Sequence, residues 1–321
     1  MKFIEVSLLF LAVLGVVKAT EWVVGGLRVI ARETKVDKFG LTAFLLALTT
    51  SLPELVVGLA AALEGDSSIA LGNVLGSNIA DLSLVIGGAA LVGGSIRVKG
   101  KFMKRDLWLS FLAGCLPLLM LVDGRLTRVD GVVLLLVYGI YVTTILKEEN
   151  KLLEKEEHNW QKRLFSIWHK PKLKANLFKL LLGIGGLVGG SYVVVELAER
   201  VAVGLGLPLL LIGLILVALG TSLPELMFEF KAVRAGETGM VFGDLLGSIV
   251  ANSTLILGLV ALINPVQVDG GLVAYGVGTV SFVVLFGLFW GFAMTKQKLE
   301  WWEGTILLLG YIVFVINELV F

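Results

Sequence analysis

Charge is scarce in this chain. Asp, Glu, Lys and Arg make up 17% of its 321 residues, 57% are hydrophobic, and the mean hydropathy is +0.91. So little charge over such a length is incompatible with a soluble domain. Cysteine occurs once, as Cys115 inside an apolar run, which excludes an intrachain disulfide. The two histidines, His158 and His169, share one polar stretch, so no histidine metal site lies within the apolar runs. Neither a Gly-rich nucleotide-binding signature nor a His-Glu-x-x-His helix is present. Nucleotide-driven work and zinc proteolysis drop out with them. The formal net charge of +1 argues neither for nor against a soluble partner, and no nucleic acid or cofactor is expected.

What the chain has instead is apolar length. Ten mostly apolar runs fall near 4–27, 39–63, 68–94, 106–122, 129–146, 175–199, 206–230, 239–264, 270–294 and 302–320. Most reach roughly 20 residues, enough to cross a hydrocarbon core about 30 Å thick. The expected fold is an all-α integral membrane protein. Lys2, the run Leu8–Val17 and Ala19 can also be read as a secretory signal. Against that, the second half has a matching span in the same place, which would lose its mate.

Basic residues set the orientation. Of the 27 Lys and Arg, 21 gather near one set of alternating ends, among them Arg28, Arg32, Arg97, Lys104, Lys231 and Lys298. The opposite ends carry four, Lys2, Arg125, Arg128 and Arg200. The excess marks the cytoplasmic side, so both termini are expected outside a cell membrane, with the long loop 147–174 inside. That loop mixes Glu154, Glu156 and Glu157 with lysines and carries Trp160 and Trp168. It reads as a solvated connector lying partly on the lipid, or alternatively as a regulatory segment. Trp22, Trp301 and Trp302 near span ends read as interfacial anchors.

A repeat organises the rest. Ala47-Leu-Thr-Thr-Ser-Leu-Pro-Glu54 returns as Ala218-Leu-Gly-Thr-Ser-Leu-Pro-Glu225, seven letters of eight identical at an offset of 171. The same offset maps Gly72-Asn-Val-Leu-Gly-Ser-Asn-Ile-Ala-Asp81 onto Gly243-Asp-Leu-Leu-Gly-Ser-Ile-Val-Ala-Asn252. It spans five crossings, an odd number, so the second half is expected to enter from the opposite face. The expected domains are thus two inverted five-helix repeats, 1–146 and 175–321, joined by 147–174. In folds of that kind ions bind near the midplane on interrupted helices.

Each repeat places a glutamate inside a span, where an ionisable group is costly and marks function by default. Pro53 and Pro224 lack an N–H, which frees the carbonyls of Thr49 and Gly220. Thr50 and Glu54 share a helix face, as do Asn73, Ser77 and Asp81; Thr221, Glu225 and Glu229, and Asp244, Ser248 and Asn252, form the counterparts. With Ser51, Ser77, Ser222 and Ser248 at the rim, two glutamates and nearby carbonyls approach the six to eight oxygens that calcium takes. Magnesium, which holds its waters, fits less well. Expelling calcium against 100 mV costs about 4.6 kcal/mol before any gradient, so a second ion has to drive it.

These paired blocks resemble the alpha repeats of the calcium/cation antiporter superfamily, in its prokaryotic sodium/calcium exchanger branch. The resemblance runs through all ten spans. It implies exchange of calcium for sodium by alternating access, with spans 1 and 6 sliding over the other eight. It further implies that Glu54, Glu225 and the carbonyls of Thr50 and Thr221 hold calcium. Sodium would use Ala47, Ser51 and Ser248 on one side and Ala218, Ser222 and Ser77 on the other, with Asp81 and Asn252 at the central position. The transported ions and the bilayer are the expected partners; no obligate protein partner is evident, and a monomer is expected to function.

Some letters depart from that pattern. Thr49 stands where the family usually has Gly, Asp81 and Asn252 are exchanged between the halves, Asp244 replaces the usual Asn, and Glu229 adds an acid. Glu229 and Asp244 can line an access path, or form a local ion pair with Lys231 or Arg234. The competing function is proton/calcium antiport, whose branch carries a glutamate where this chain has Gly76 and Gly247. Three Gly-x-x-x-Gly pairs, starting at Gly72, Gly185 and Gly243, are expected to pack helices closely. The small-residue run Gly183–Gly190 suits a sliding span.

Overall fold

Apolar runs of this length leave the backbone only itself to bond with, and the computed structural model is accordingly almost entirely helical. It describes residues 2–34, 50–97, 103–153, 171–268, 272–295 and 297–320. Helices are α1 (Lys2–Thr34), α2 (Leu52–Glu64), α3 (Ser67–Gly93), α4 (Met103–Met120), α5 (Arg128–Leu153), α6 (Pro171–Leu205), α7 (Leu209–Arg234), α8 (Thr238–Ile263), α9 (Leu272–Thr295) and α10 (Trp301–Val320). Eight of these regions, all but α1 and α2, are long and apolar enough to cross a membrane among the described residues. The second expected span begins at 39 and lies partly outside them, as do Ala47, Thr49 and most of the loop 147–174.

Burial sorts the helices into layers. The apolar windows of α3 and α8 are 83% and 78% buried, against 11% in α5 and 28% in α10. Thus α3 and α8 form the centre, and α5 and α10 turn Leu136, Ile140, Leu309 and Val313 outward, as a lipid-facing surface requires. Trp22, Trp301 and Trp302 are exposed, as anchors must be. Helices α1 and α6 run along each other and lie over α2 and α7. Leu9, Val13, Val16 and Ala19 are buried in α1, which makes that segment an integral part of the fold.

Backbone features recur between the halves. α2 and α7 both end in a left-handed glycine, Gly65 and Gly236, whose N–H bonds the carbonyls of Ala62 and Val233 while the next N–H reaches back to Ala61 and Ala232. This ending closes a helix and turns the chain sharply into the next one. α3 and α8 each contain a wider π turn, over Asp81–Val85 and Ala251–Ile256. Two short antiparallel pairings clip loops together at opposite ends of α3: β1 (Ser95–Arg97) with β4 (Lys298–Glu300), and β2 (Arg125–Leu126) with β3 (Val266–Gln267).

Close helix contacts depend on missing side chains. A Cβ at Gly72 would meet the Leu210 carbonyl at 2.2 Å, and one at Gly76 the Leu214 carbonyl at 2.0 Å, so α3 and α7 touch backbone to backbone. The expectation for Gly185 and Gly189 is wrong. Both look into open space, and it is Gly186 and Gly190 that meet Ala19 and Val16 of α1, at 3.0 and 2.9 Å. One residue turns a helix by about 100°, so the spelling of the pair did not reveal its face.

Candidate functional site

Both repeated Ser-Leu-Pro-Glu segments restart a helix in mid-chain. Ser51 (φ −76°, ψ 9°) and Ser222 (φ −79°, ψ 2°) leave helical geometry just before Pro53 and Pro224, which occupy the first turn of the new helical segment. Leu55 N–H and Leu226 N–H then bond the serine carbonyls at 3.0 and 3.1 Å. Proline tolerates this position because a first-turn N–H has no intrahelical partner in any case. Glu54 and Glu225 thereby sit in the first turn of new helices, where the dipole favours negative charge.

Five carboxylates are sealed inside this region: Glu54, Asp81, Glu225, Glu229 and Asp244, none more than 2% exposed. Glu225 has Glu54, Asp81 and Asp244 within electrostatic range, so acids from both halves share one space. Among the residues whose side chains are described, no Lys, Arg or His is buried. At an effective dielectric of about 20, two such charges ~6 Å apart repel by ~3 kcal/mol, on top of the desolvation of each. Protons or cations from outside the chain can discharge such a cluster.

Oxygens are left free to receive them. Glu54 Oε2, Glu225 Oε2, both Asp81 oxygens, Asn252 Oδ1 and the hydroxyls of Ser51, Ser222 and Ser248 are buried without a hydrogen-bond partner. Orphaned buried polar atoms are rare enough to require an explanation, and a bound cation would supply one. Among the described residues no three acids converge on a metal by themselves. Hydroxyls, amide oxygens and carbonyls have to complete any coordination shell, as suits a hard cation.

The threonines hold the halves together. Thr50 Oγ1 donates to Asp244 Oδ1 at 2.9 Å, and Thr221 Oγ1 donates to Asn73 Oδ1 at 3.0 Å. These bonds are counterparts at the offset of 171, each joining a threonine of one half to the second motif of the other. Ser77 reaches Glu54 Oε1 and Thr221 Oγ1, both at 3.4 Å. Ala218, expected to ligate sodium, has its carbonyl accepting from Ser222 N–H at 3.0 Å, with the Thr221 hydroxyl 3.3 Å away as the alternative to its bond with Asn73.

One participant was missed. Asn252 Nδ2 donates to Asn78 Oδ1 at 3.2 Å, and Asn78 Nδ2 donates to Ser253 Oγ at 2.8 Å. Asn78 thus aims the free Asn252 oxygen into the site. Its counterpart in the second half is Ile249, so the repeat carried no signal for it. The π turns place Asp81 and Asn252 on locally widened backbone, a feature common at functional sites.

The ion pair considered for Glu229 is not formed. Lys231 and Arg234 are exposed, while both Glu229 oxygens are buried without a partner. Glu229 instead has Asp244 and Asp81 as charged neighbours.

Comparisons with known proteins find relatives over nearly the whole chain. Residues 4–147 and 176–320 match the profile described as "Sodium/calcium exchanger protein". The chain is 28% identical to the sodium/calcium exchanger MaX1 of Methanosarcina acetivorans, over 96% of its own length and 97% of that protein. It is 30% identical to the uncharacterized membrane protein MJ0091 of Methanocaldococcus jannaschii, over 92% and 91%. A solved structure of the sodium-calcium exchanger NCX_Mj soaked with Na+ and Sr2+ superposes with a TM-score of 0.66 at 28% identity, covering 98% of both chains.

Proposed function

The chain belongs to the sodium/calcium exchanger protein family, and on that footing we propose that it exchanges calcium for sodium by alternating access. The carrying observation is the buried acidic centre, built from both halves, with unpartnered oxygens and, among the residues whose side chains are described, no buried basic group to neutralise it. Glu54 and Glu225, with the carbonyls of Thr50 and Thr221, hold calcium. Ser51 and Ser248 with Ala47, and Ser77 and Ser222 with Ala218, hold sodium, while Asp81 and Asn252 form the central position. Either ion set discharges the same carboxylates, so each excludes the other. Coupling is the result of that competition.

The ten spans form two inverted halves in this reading. Its support is the recurrence of helix breaks, glycine turns and π turns at matching positions, together with the paired clips at opposite ends of α3. Both termini lie outside the cell, the loop 147–174 lies in the cytoplasm, and the monomer suffices. Sodium is favoured over protons as the driving ion because position 76 has no room for the glutamate of the proton-coupled branch: even a Cβ there meets a backbone carbonyl at 2.0 Å.

The deciding experiment uses purified protein in vesicles. Sodium-loaded vesicles are expected to accumulate calcium only while the sodium gradient lasts. Uptake that tracks an imposed pH gradient and ignores sodium would reassign the protein to proton/calcium antiport.

Helices α1 and α6 are the moving pair, sliding over the more buried core. Gly186→Leu forces them apart at Ala19, 3.0 Å from the new Cβ. Overpacking of this kind costs about 1–3 kcal/mol. The variant is expected to slow exchange roughly tenfold while equilibrium calcium binding stays within about twofold, measured by flux and by isotope binding on one preparation. Unchanged flux would count against the sliding pair.

A further inference from the structure

Glu229 and Asp244 break the match between the halves, and both do so with buried acids. Counting 171 residues back, Asp244 falls on Asn73 and Glu229 on Gly58. The Gly58 position is tight: a Cβ there would meet Ile256 Cγ2 at 3.1 Å, with Val260 Cγ2 in contact at 3.5 Å. The residues corresponding to Ile256 and Val260 are Val85 and Ala89, both smaller. By the repeat, smaller residues stand in the second half where Ile256 and Val260 crowd Gly58 in the first.

The acid admitted there has nothing to bond. Both Glu229 oxygens and Asp244 Oδ2 are buried without a partner, and Asp244 is a charged neighbour of Glu229. Asp244 Oδ1 is occupied by Thr50, which leaves Asp244 Oδ2 and both Glu229 oxygens unpartnered on two helices that pack against each other. Glu229 lies one turn beyond Glu225, about 6 Å along the helix toward the exposed Lys231 and Arg234.

We propose that Glu229 and Asp244 form a further cation position, one turn from the central site toward the Lys231–Arg234 end, which takes an alkali-metal ion. The inference rests on the exchange reading above and adds a sodium step on one side of it only. Three carboxylate oxygens fall short of the six to eight that calcium takes. A monovalent ion also suffers half the repulsion from calcium at Glu54 and Glu225 that a second divalent would. Sodium passing between the centre and that face then pauses where an acid replaces the glycine of the other half.

Crystals of the full chain soaked in thallium(I), a monovalent ion visible by anomalous scattering, test this directly. A peak between Glu229 and Asp244 is expected, separate from density at Glu54 and Glu225. Glu229→Gln keeps the volume, and Asp244→Asn restores the residue type at Asn73 and still accepts the Thr50 hydrogen bond. Each is expected to remove the outer peak and leave the central one, and the surviving central peak reports that the fold is intact. An outer position empty of thallium while the centre is filled, or an outer peak that survives both substitutions, overturns the proposal and leaves the central site standing. Crystals that show no thallium at Glu54 and Glu225, and none there after a separate strontium soak, overturn the central reading as well.

Discussion

Glu54→Gln and Glu225→Gln are each expected to abolish sodium-driven calcium uptake, a loss of at least about 100-fold. Each glutamate supplies a formal charge to the buried acidic site, and glutamine keeps the volume and one carbonyl oxygen but removes that charge. Losing one charged ligand in a desolvated site costs about 3 kcal/mol or more, and 1.4 kcal/mol is a factor of ten. The two substitutions should act alike, because both residues occupy the first turn of a helix that restarts after a serine. Radioactive calcium uptake into sodium-loaded vesicles reads the effect. The same variants should be at least as heat-stable as the parent without calcium, since each removes one of five mutually repelling acids. Substantial uptake by either variant would mean that calcium is held elsewhere.

The second large effect is on folding. Gly76→Ala puts a methyl group 2.0 Å from the Leu214 carbonyl and 2.6 Å from Ala218 Cβ, on the seam where α3 and α7 touch. A flexible side chain would turn aside; a backbone carbonyl inside a helix cannot. The cost is expected at or above the upper end of the usual overpacking range, about 3 kcal/mol, which lowers the unfolding temperature by several degrees. Gly139→Ala on α5 is the internal comparison, because nothing lies within 4 Å of its Cβ position. Alanine is the better helix former there, so that variant should match or slightly exceed the parent. Thermal unfolding of both in one detergent compares them, and equal stability would deny the backbone contact. Loss of this seam would also disperse the site, since Thr221 meets Asn73 and Ser77 across it.

Legibility tracked the range of the interactions. The glutamates, the prolines beside them and the serine rim were readable because an apolar run makes any polar letter conspicuous, and a gapless repeat says it twice. Asn78 was unreadable for the opposite reason: its partners, Asn252 and Ser253, come from the other half, and its own counterpart is an isoleucine. The contact face of α6 was misplaced by one residue, from Gly186 and Gly190 to Gly185 and Gly189. Composition does not set the rotation of a helix about its axis; its neighbours do. The alternatives for Glu229 could be separated only by the exposure of Lys231 and Arg234 and the burial of the acid.

The order of letters was enough to establish a helical membrane protein with acids repeated inside its spans, because hydrocarbon length, helix periodicity and an unbroken offset are properties of a single strand of text. Which oxygens remain free was settled by packing alone. Thr50 turns to Asp244, Thr221 to Asn73, and Asn78 orients Asn252. Those choices are made between segments more than 140 residues apart, where only the distance between folded helices determines whether a hydroxyl meets a carboxylate or leaves it for a cation.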